Sequence, residues 1–250
     1  MKKKQMSWTI KITIGFLSAS AVTYLIHYLI FHDVHHIFIY MLGDFGFLFL
    51  DVLLVVLLVE RLLSQREKRM MIKKLNMVIG AFFSEVGLTL LELFADFVED
   101  APQLEARLNI TADWTQKDFR QAIKQVKEFP FRINFERKDL IPLRDFLVSK
   151  REFLLRLLEN PNLLEHEGFT DLLWAVFHLS EELEFRGSKL AQIPDSDYQH
   201  LCGDLKRVYS HLLQQWLLYV SHLQESYPFL FSLAQRVNPL NPHASVIIFA

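Results

Sequence analysis

The chain has 250 residues, 51% of them hydrophobic and 22% charged, with 27 Lys/Arg against 29 Asp/Glu and a formal net charge of −2. That length can bury a substantial core, and the apolar fraction excludes a disordered or collagen-like chain. The single cysteine, Cys202, excludes an intramolecular disulfide and a cysteine-based zinc site.

The hydrophobicity is concentrated at the N-terminus. Residues Ile12 to Phe31 form a run of 20 without a formal charge, and Ile37 to Val59 a run of 23 broken only by Asp44 and Asp51. A bilayer core of roughly 30 Å needs about 20 helical residues, so both runs are long enough to span it. The five residues His32-Asp33-Val34-His35-His36 between them predict a tight turn and an antiparallel helical hairpin. A cleaved signal peptide is the competing reading, because Ser18-Ala19-Ser20-Ala21 has small residues. Cutting there would discard half of a continuous span.

Lys2, Lys3, Lys4 and Lys11 flank the first run, and Arg61, Arg66, Lys68, Arg69, Lys73 and Lys74 follow the second. The turn carries no Lys or Arg. Both termini are therefore expected in the cytoplasm, with the His-rich turn outside. Arg66, Lys68, Arg69, Lys73 and Lys74 fall where anionic lipid headgroups lie. Residues 1–75 hold ten basic and five acidic residues, which leaves 17 of the 27 basic and 24 of the 29 acidic residues for 76–250. So acidic a remainder is not a nucleic-acid binder by bulk charge.

No proline precedes Pro102, so the second span can continue as one helix. Met71, Leu75, Val78, Phe82, Val86, Leu90, Leu93 and Phe97 recur at spacings of three and four. This stripe is close to a heptad seam and permits a parallel coiled coil between copies. Packing against the chain's own later helices is the simpler use for it. Further helices are expected at Asp118–Phe129, at Asp139–Glu159, from about Phe169 to Phe185, and from Asp195 or Ser196 onward. The last has the stripe Tyr198, Leu201, Leu205, Val208, Leu212, Trp216, Tyr219 and Leu223. Asn160-Pro161 predicts an N-cap and first turn. Arg186-Gly187 predicts a helix end, and Pro228 a kink or restart. Residues 130–137 have room for one brief strand, and Val246-Ile247-Ile248-Phe249 would dock in a groove or cover the core.

The stretch Lys74-Leu75-Asn76-Met77-Val78-Ile79-Gly80-Ala81-Phe82-Phe83-Ser84-Glu85-Val86-Gly87 resembles the juxtamembrane segment of two-span bacterial membrane proteins with no assigned function. The likeness covers mainly residues 37–100. It implies a bacterial inner-membrane protein of this architecture and carries over no activity and no catalytic residues.

The motifs of enzyme chemistry are absent from the sequence. It has no phosphate-cradling loop, no dinucleotide fingerprint and no Gly-x-Ser-x-Gly. Cys202 falls beside an apolar stripe and reads as a structural thiol. His200, His211 and His222 share a helix face, but lie about 16 Å apart in succession, too far for one ion. His178, Glu181 and Glu182 lack the Glu-x-x-His order of helical di-iron sites and read as a solvated, ion-paired face. Glu92, Asp96, Glu99 and Asp100 read the same way.

The polar residues of the two spans carry more. Asp44 and Asp51 are seven apart, on one face, and each costs about 2.5–3.5 kcal/mol at a bilayer centre. Pairing the spans about the turn sets Tyr24 and His27 near Asp44, and Ser18 near Asp51. These groups then either lock the hairpin by hydrogen bonds or line a cation path in an oligomer. His32, Asp33, His35 and His36 would form its outer mouth, able to bind a divalent metal or titrate near pH 6.5. The expectation is an all-α protein with a transmembrane hairpin (1–63) and a cytoplasmic helical domain (64–250). No cofactor and no enzymatic activity are expected. The lead role is a membrane-anchored interaction or assembly module, partnered by the bilayer and by another copy or a cytoplasmic protein. The alternative is a homo-oligomeric cation channel or a metal- or pH-responsive membrane sensor.

Overall fold

A computed structural model describes residues 8–100, 103, 104, 107–161, 163, 166–241 and 244–247. Lys2 to Lys4, Ile248, Phe249 and the side chains of Lys68, Arg69 and Lys73 lie outside the described set. The chain divides into two compact units, residues 1–68 and 69–250, a few residues beyond the expected 63/64 boundary.

The first unit is built from α1 (Trp8–Phe31) and the opening part of α2 (Val34–Phe82). Both helices are long and apolar enough to cross a bilayer. The turn is shorter than the five residues expected, because only His32 and Asp33 stand outside helix. His32 takes a left-handed φ of 51°, and its N–H donates to the Tyr28 carbonyl at 2.9 Å, which closes α1. Asp33 Oδ1 accepts the N–H groups of His35 at 2.9 Å and His36 at 3.2 Å, an N-cap that opens α2. Of the described residues through Glu67, all but His27, His36 and Ile37 are exposed.

In the second unit the end of α2 leads through a π-helical turn, Phe83–Gly87, into α3 (Leu88–Ala95). There follow α4 (Gln116–Glu128), α5 (Leu140–Ser149), α6 (Arg151–Leu158), α7 (Glu167–Arg186), α8 (Asp195–Ser226) and α9 (Pro228–Arg236). Among the described residues the only non-helical pairing is an isolated antiparallel bridge, Val98 with Ile133, inside the segment where a brief strand is expected. The core centres on α8, which packs against α3, α4, α7 and α9. Leu201, Leu205, Val208, Leu212, Trp216 and Leu223 of its stripe are buried.

The stripe between Met71 and Phe97 is spent on these same helices rather than on a coiled coil. Phe82 meets Phe169 edge-on at 5.3 Å, and Phe83 meets Trp216 at 5.1 Å and Tyr219 at 5.5 Å. The π turn makes this possible, since one extra residue per turn lets the adjacent Phe82 and Phe83 both enter the core, at 0% and 1% exposure. Gly87 is part of that arrangement, because a Cβ there would stand 2.4 Å from Phe83 Cδ1 and 3.1 Å from Phe82 Cε1. Gly87→Ala is therefore expected to destabilise by about 1–3 kcal/mol through overpacking, against the usual gain of about 1 kcal/mol for Gly→Ala in a helix. Chemical denaturation of the two proteins in parallel checks the sign. A stabilised variant would mean that the phenyl rings have room to move.

Several boundaries differ from expectation for local reasons. The helix expected over Asp139–Glu159 breaks at Lys150, where φ is −98° and ψ is 1°. There the Ser149 hydroxyl donates to the Phe146 carbonyl at 2.6 Å and competes with the helix ladder. α7 is capped by His166, whose Nδ1 accepts from Phe169 N–H at 3.2 Å. It ends at Gly187, whose φ of +52° suits a residue without Cβ. α4 opens on a Thr115–Asp118 capping box. Asp100, expected on an exposed acidic face, is 6% exposed. Arg132 grips both its oxygens, Nε to Oδ2 at 3.0 Å and Nη2 to Oδ1 at 2.6 Å, and holds its carboxyl below the usual range. In the tail, Val246 and Ile247 are exposed and Leu240 is buried instead.

Candidate functional site

α7 and α8 are antiparallel neighbours joined by a short 3-10 segment, Gly187–Gln192. Their register is visible in the pairs that face each other: His178 with Asp204, Glu182 with His200, and Arg186 with Asp197. Each helix thus contributes a histidine followed four residues later by a carboxylate, one helical turn apart on one face. The four groups converge. Asp204 Oδ2 lies 3.6 Å from His178 Nε2 and 3.4 Å from His200 Nε2. Glu182 offers Oε1 at 4.0 Å from His178 Nε2 and Oε2 at 3.6 Å from His200 Nε2.

Two arginines hold the carboxylates from behind. Arg207 Nη1 donates to Asp204 Oδ1 at 3.1 Å. Arg186 donates through Nη1 to Glu182 Oε2, and bidentately to Asp197 at 2.8 and 2.6 Å. The Arg186 hydrogen bonds hold the carboxyls of Glu182 and Asp197 below their ordinary range, and those carboxylates raise Arg186 in return. Asp204 is only 3% exposed, and its Oδ2 has no hydrogen-bond partner among the described residues. The imidazoles of His178 and His200 are half exposed, which leaves the cluster open to solvent on their side. His178 also lines a surface cavity of about 340 Å³ with Trp174, Arg207 and His211.

His211 and His222 take no part in the cluster. Burial lowers the pKa of both, and His222 lines a separate apolar cavity with Tyr219 and Tyr227. Cys202 is half-buried, and desolvation pushes its thiol up, so its proton stays on at neutral pH.

In the first unit, Asp44 lines a cavity of about 400 Å³ that also has Ser20, Tyr24 and His27 in its wall. His27 itself faces His36, with Nε2 and Nδ1 3.5 Å apart and the rings stacked at 5.7 Å. Ser18 and Asp51 are exposed and lie outside that cavity. The two-residue turn accounts for this, since counting outward from Phe31 and Val34 sets Ala21 level with Asp44 and Ile14 level with Asp51, about one helical turn from Ser18. No hydrogen bond among the described residues joins Asp44 or Asp51 to Tyr24, His27 or Ser18. At the turn, the structure brings together His27 and His36 rather than His32, Asp33, His35 and His36, because the Asp33 carboxylate is used as the cap. Of the basic residues after the second apolar run whose side chains are described, Arg61, Arg66 and Lys74 are all exposed.

The family described as the C-terminal helical domain of uncharacterized protein MJ1433 matches residues 71–236, and its N-terminal helical domain matches residues 2–63. The chain belongs to this family. It is 43% identical over 248 residues to "Uncharacterized protein MJ1433" of Methanocaldococcus jannaschii, a match that covers 99% of this chain and 98% of that one. The relative is archaeal, which removes the support for a specifically bacterial kinship. The likeness also runs through both helical domains rather than mainly through residues 37–100. No solved structure matches the chain significantly.

Proposed function

We propose that the protein is a non-enzymatic, membrane-anchored helical binding module. In this reading residues 12–31 and 37–59 lie in the plasma membrane, both termini are cytoplasmic, and residues 69–250 engage a cytoplasmic protein or another copy. One observation carries it. The apolar side chains of α1 and of α2 as far as Val59 are exposed almost without exception, while the second unit closes a core of its own. So large an apolar surface needs lipid or protein around it. The Lys/Arg bias of the flanks supplies the orientation.

Cysteine labelling tests the arrangement. In a Cys202→Ser background, Val34→Cys is expected to react with an impermeant thiol reagent on intact cells. Ser188→Cys is expected to react only after permeabilisation. External labelling of Ser188→Cys would overturn the topology, and recovery of the whole chain in the soluble fraction would overturn the anchor.

A second reading, a homo-oligomeric cation path, is favoured by one feature of the first unit. Asp44 and Asp51 are exposed on one face of α2 without a hydrogen-bond partner among the described residues, which leaves both carboxylates open to a neighbouring copy.

A further inference from the structure

We propose that His178 and Glu182 of α7, with His200 and Asp204 of α8, bind one divalent transition-metal ion of the zinc or iron(II) class. The ion bolts the two helices together on their solvent-facing side. This site is independent of the membrane reading, because all four residues belong to the second unit.

Spacing is the first argument. Four ligands at ~2.0–2.2 Å from a tetrahedral ion stand ~3.3–3.6 Å from one another. The oxygens left for the ion stand 3.4 and 3.6 Å (Asp204 Oδ2 to His200 and His178 Nε2) and 4.0 Å (Glu182 Oε1 to His178 Nε2) from the imidazole nitrogens. The ligand atoms of His178, Glu182 and His200 all fall within 4.8 Å of one another. Small rotations of half-exposed side chains close the remainder.

The second argument is the buried oxygen. Asp204 Oδ2 is sealed from solvent without a hydrogen bond from any described residue, a costly state for a carboxylate. It points at two imidazole nitrogens that are slightly too far away to donate to it, since N–H···O bonds span ~2.7–3.2 Å. A cation between the three satisfies that oxygen. Arg207 occupies the other Asp204 oxygen and Arg186 occupies Glu182 Oε2, so one oxygen of each carboxylate, Oδ2 and Oε1, is left for the ion. That is how outer partners orient metal ligands.

Charge and donor type select the ion. Glu182, Asp197 and Asp204 outweigh Arg186 and Arg207 when both imidazoles are neutral, so the cluster remains anionic despite its arginines. Two imidazole nitrogens disfavour magnesium and calcium, which take oxygen ligands, and favour zinc, iron, cobalt or nickel. The exposed sides of His178 and His200 provide the entry path.

The test uses the full chain in mild detergent, stripped with chelator and titrated with Co²⁺ and then Zn²⁺. One equivalent of Co²⁺ is expected to give the intense visible bands of a tetrahedral ion, displaced by Zn²⁺ but not by excess Mg²⁺. His178→Ala, His200→Ala and the shape-conserving Asp204→Asn are each expected to weaken binding at least about tenfold. The double variant His178→Ala/His200→Ala should abolish it. The triple variant His32→Ala/His35→Ala/His36→Ala should leave it unchanged. A second readout needs no substitution at all: the wild-type Tm should rise by ~5–10 °C at a hundredfold excess of free Zn²⁺ over Kd. No binding to the stripped wild type, no rise in Tm, binding that survives the double variant, or binding lost only in the turn variant would each overturn the site.

Discussion

Trp216→Ala is expected to lower the stability of the 69–250 unit by about 3–5 kcal/mol, a large share of the ~5–15 kcal/mol that holds a typical domain together. Trp216 is 1% exposed and sits on α8, the helix around which the core is assembled. Its ring meets Phe83 at 5.1 Å and Tyr219 at 6.1 Å, and so ties the π turn after α2 to α8. Its Nε1–H donates to Asn238 Oδ1 at 3.2 Å, a buried acceptor that also takes the Leu240 N–H at 3.3 Å. Alanine removes the ring contacts, opens a cavity and takes away one of the two donors to Asn238. Phe at the same position keeps most of the packing and loses only that donor, so it should cost about 1–2 kcal/mol. Denaturation of the full chain, followed by far-ultraviolet circular dichroism, separates the two. Equal losses for Ala and Phe would mean that the hydrogen bond, not the ring, is what holds this region.

Much of this core was legible in the sequence because it is periodic. Leu75, Phe82, Val86 and Leu90 recur at helical spacing, as do Leu201, Leu205, Val208, Leu212 and Trp216. In each set the stripe turns inward as a period of 3.6 requires. Helix ends that depend on single residues were legible too, at Gly187 and at Pro228. The remaining features depend on contacts that spacing along one helix does not encode. The π turn appears only once Phe82 and Phe83 must both be buried against α7 and α8. The break at Lys150 follows from one hydroxyl, and the pairing of Asp100 from an arginine 32 residues downstream.

The α7–α8 cluster shows the same limit most clearly. Read along α7, His178 and Glu182 have no partner motif. Read along α8, His200 is too far from His211 and His222 to share an ion. The two His-x-x-x-carboxylate pairs become one constellation only because the helices are antiparallel and in register, with His178 opposite Asp204 and Glu182 opposite His200. The signal that could have found them is that repeated spacing of histidine and acid on two consecutive helices joined by a short connection.

The largest effects in the first unit are expected at Asp44 and Asp51. If α2 simply crosses the bilayer, each ionised carboxylate opposes insertion by about 2.5–3.5 kcal/mol and each leucine would favour it by about 0.3–0.6 kcal/mol. Asp51→Leu should then favour insertion by about 3–4 kcal/mol, more than a hundredfold in the partition constant, and Asp44→Leu should act in the same direction. The neutral variants Asp44→Asn and Asp51→Asn should insert at least as well as the wild type, because an amide is cheaper to bury than a charge. An insertion assay that scores membrane-integrated against soluble chains measures this directly. Under the anchor reading, purified wild-type protein in liposomes carries no cation flux. Under the oligomeric path it does, and both Asn variants abolish the flux while leaving the assembly intact, since both carboxylates lie on one face seven residues apart. Flux in the wild type that is lost in both variants would replace the anchor with the channel. Insertion unaffected by Asp51→Leu would show that the carboxylate is already neutralised by a partner outside the chain, which the anchor reading does not supply.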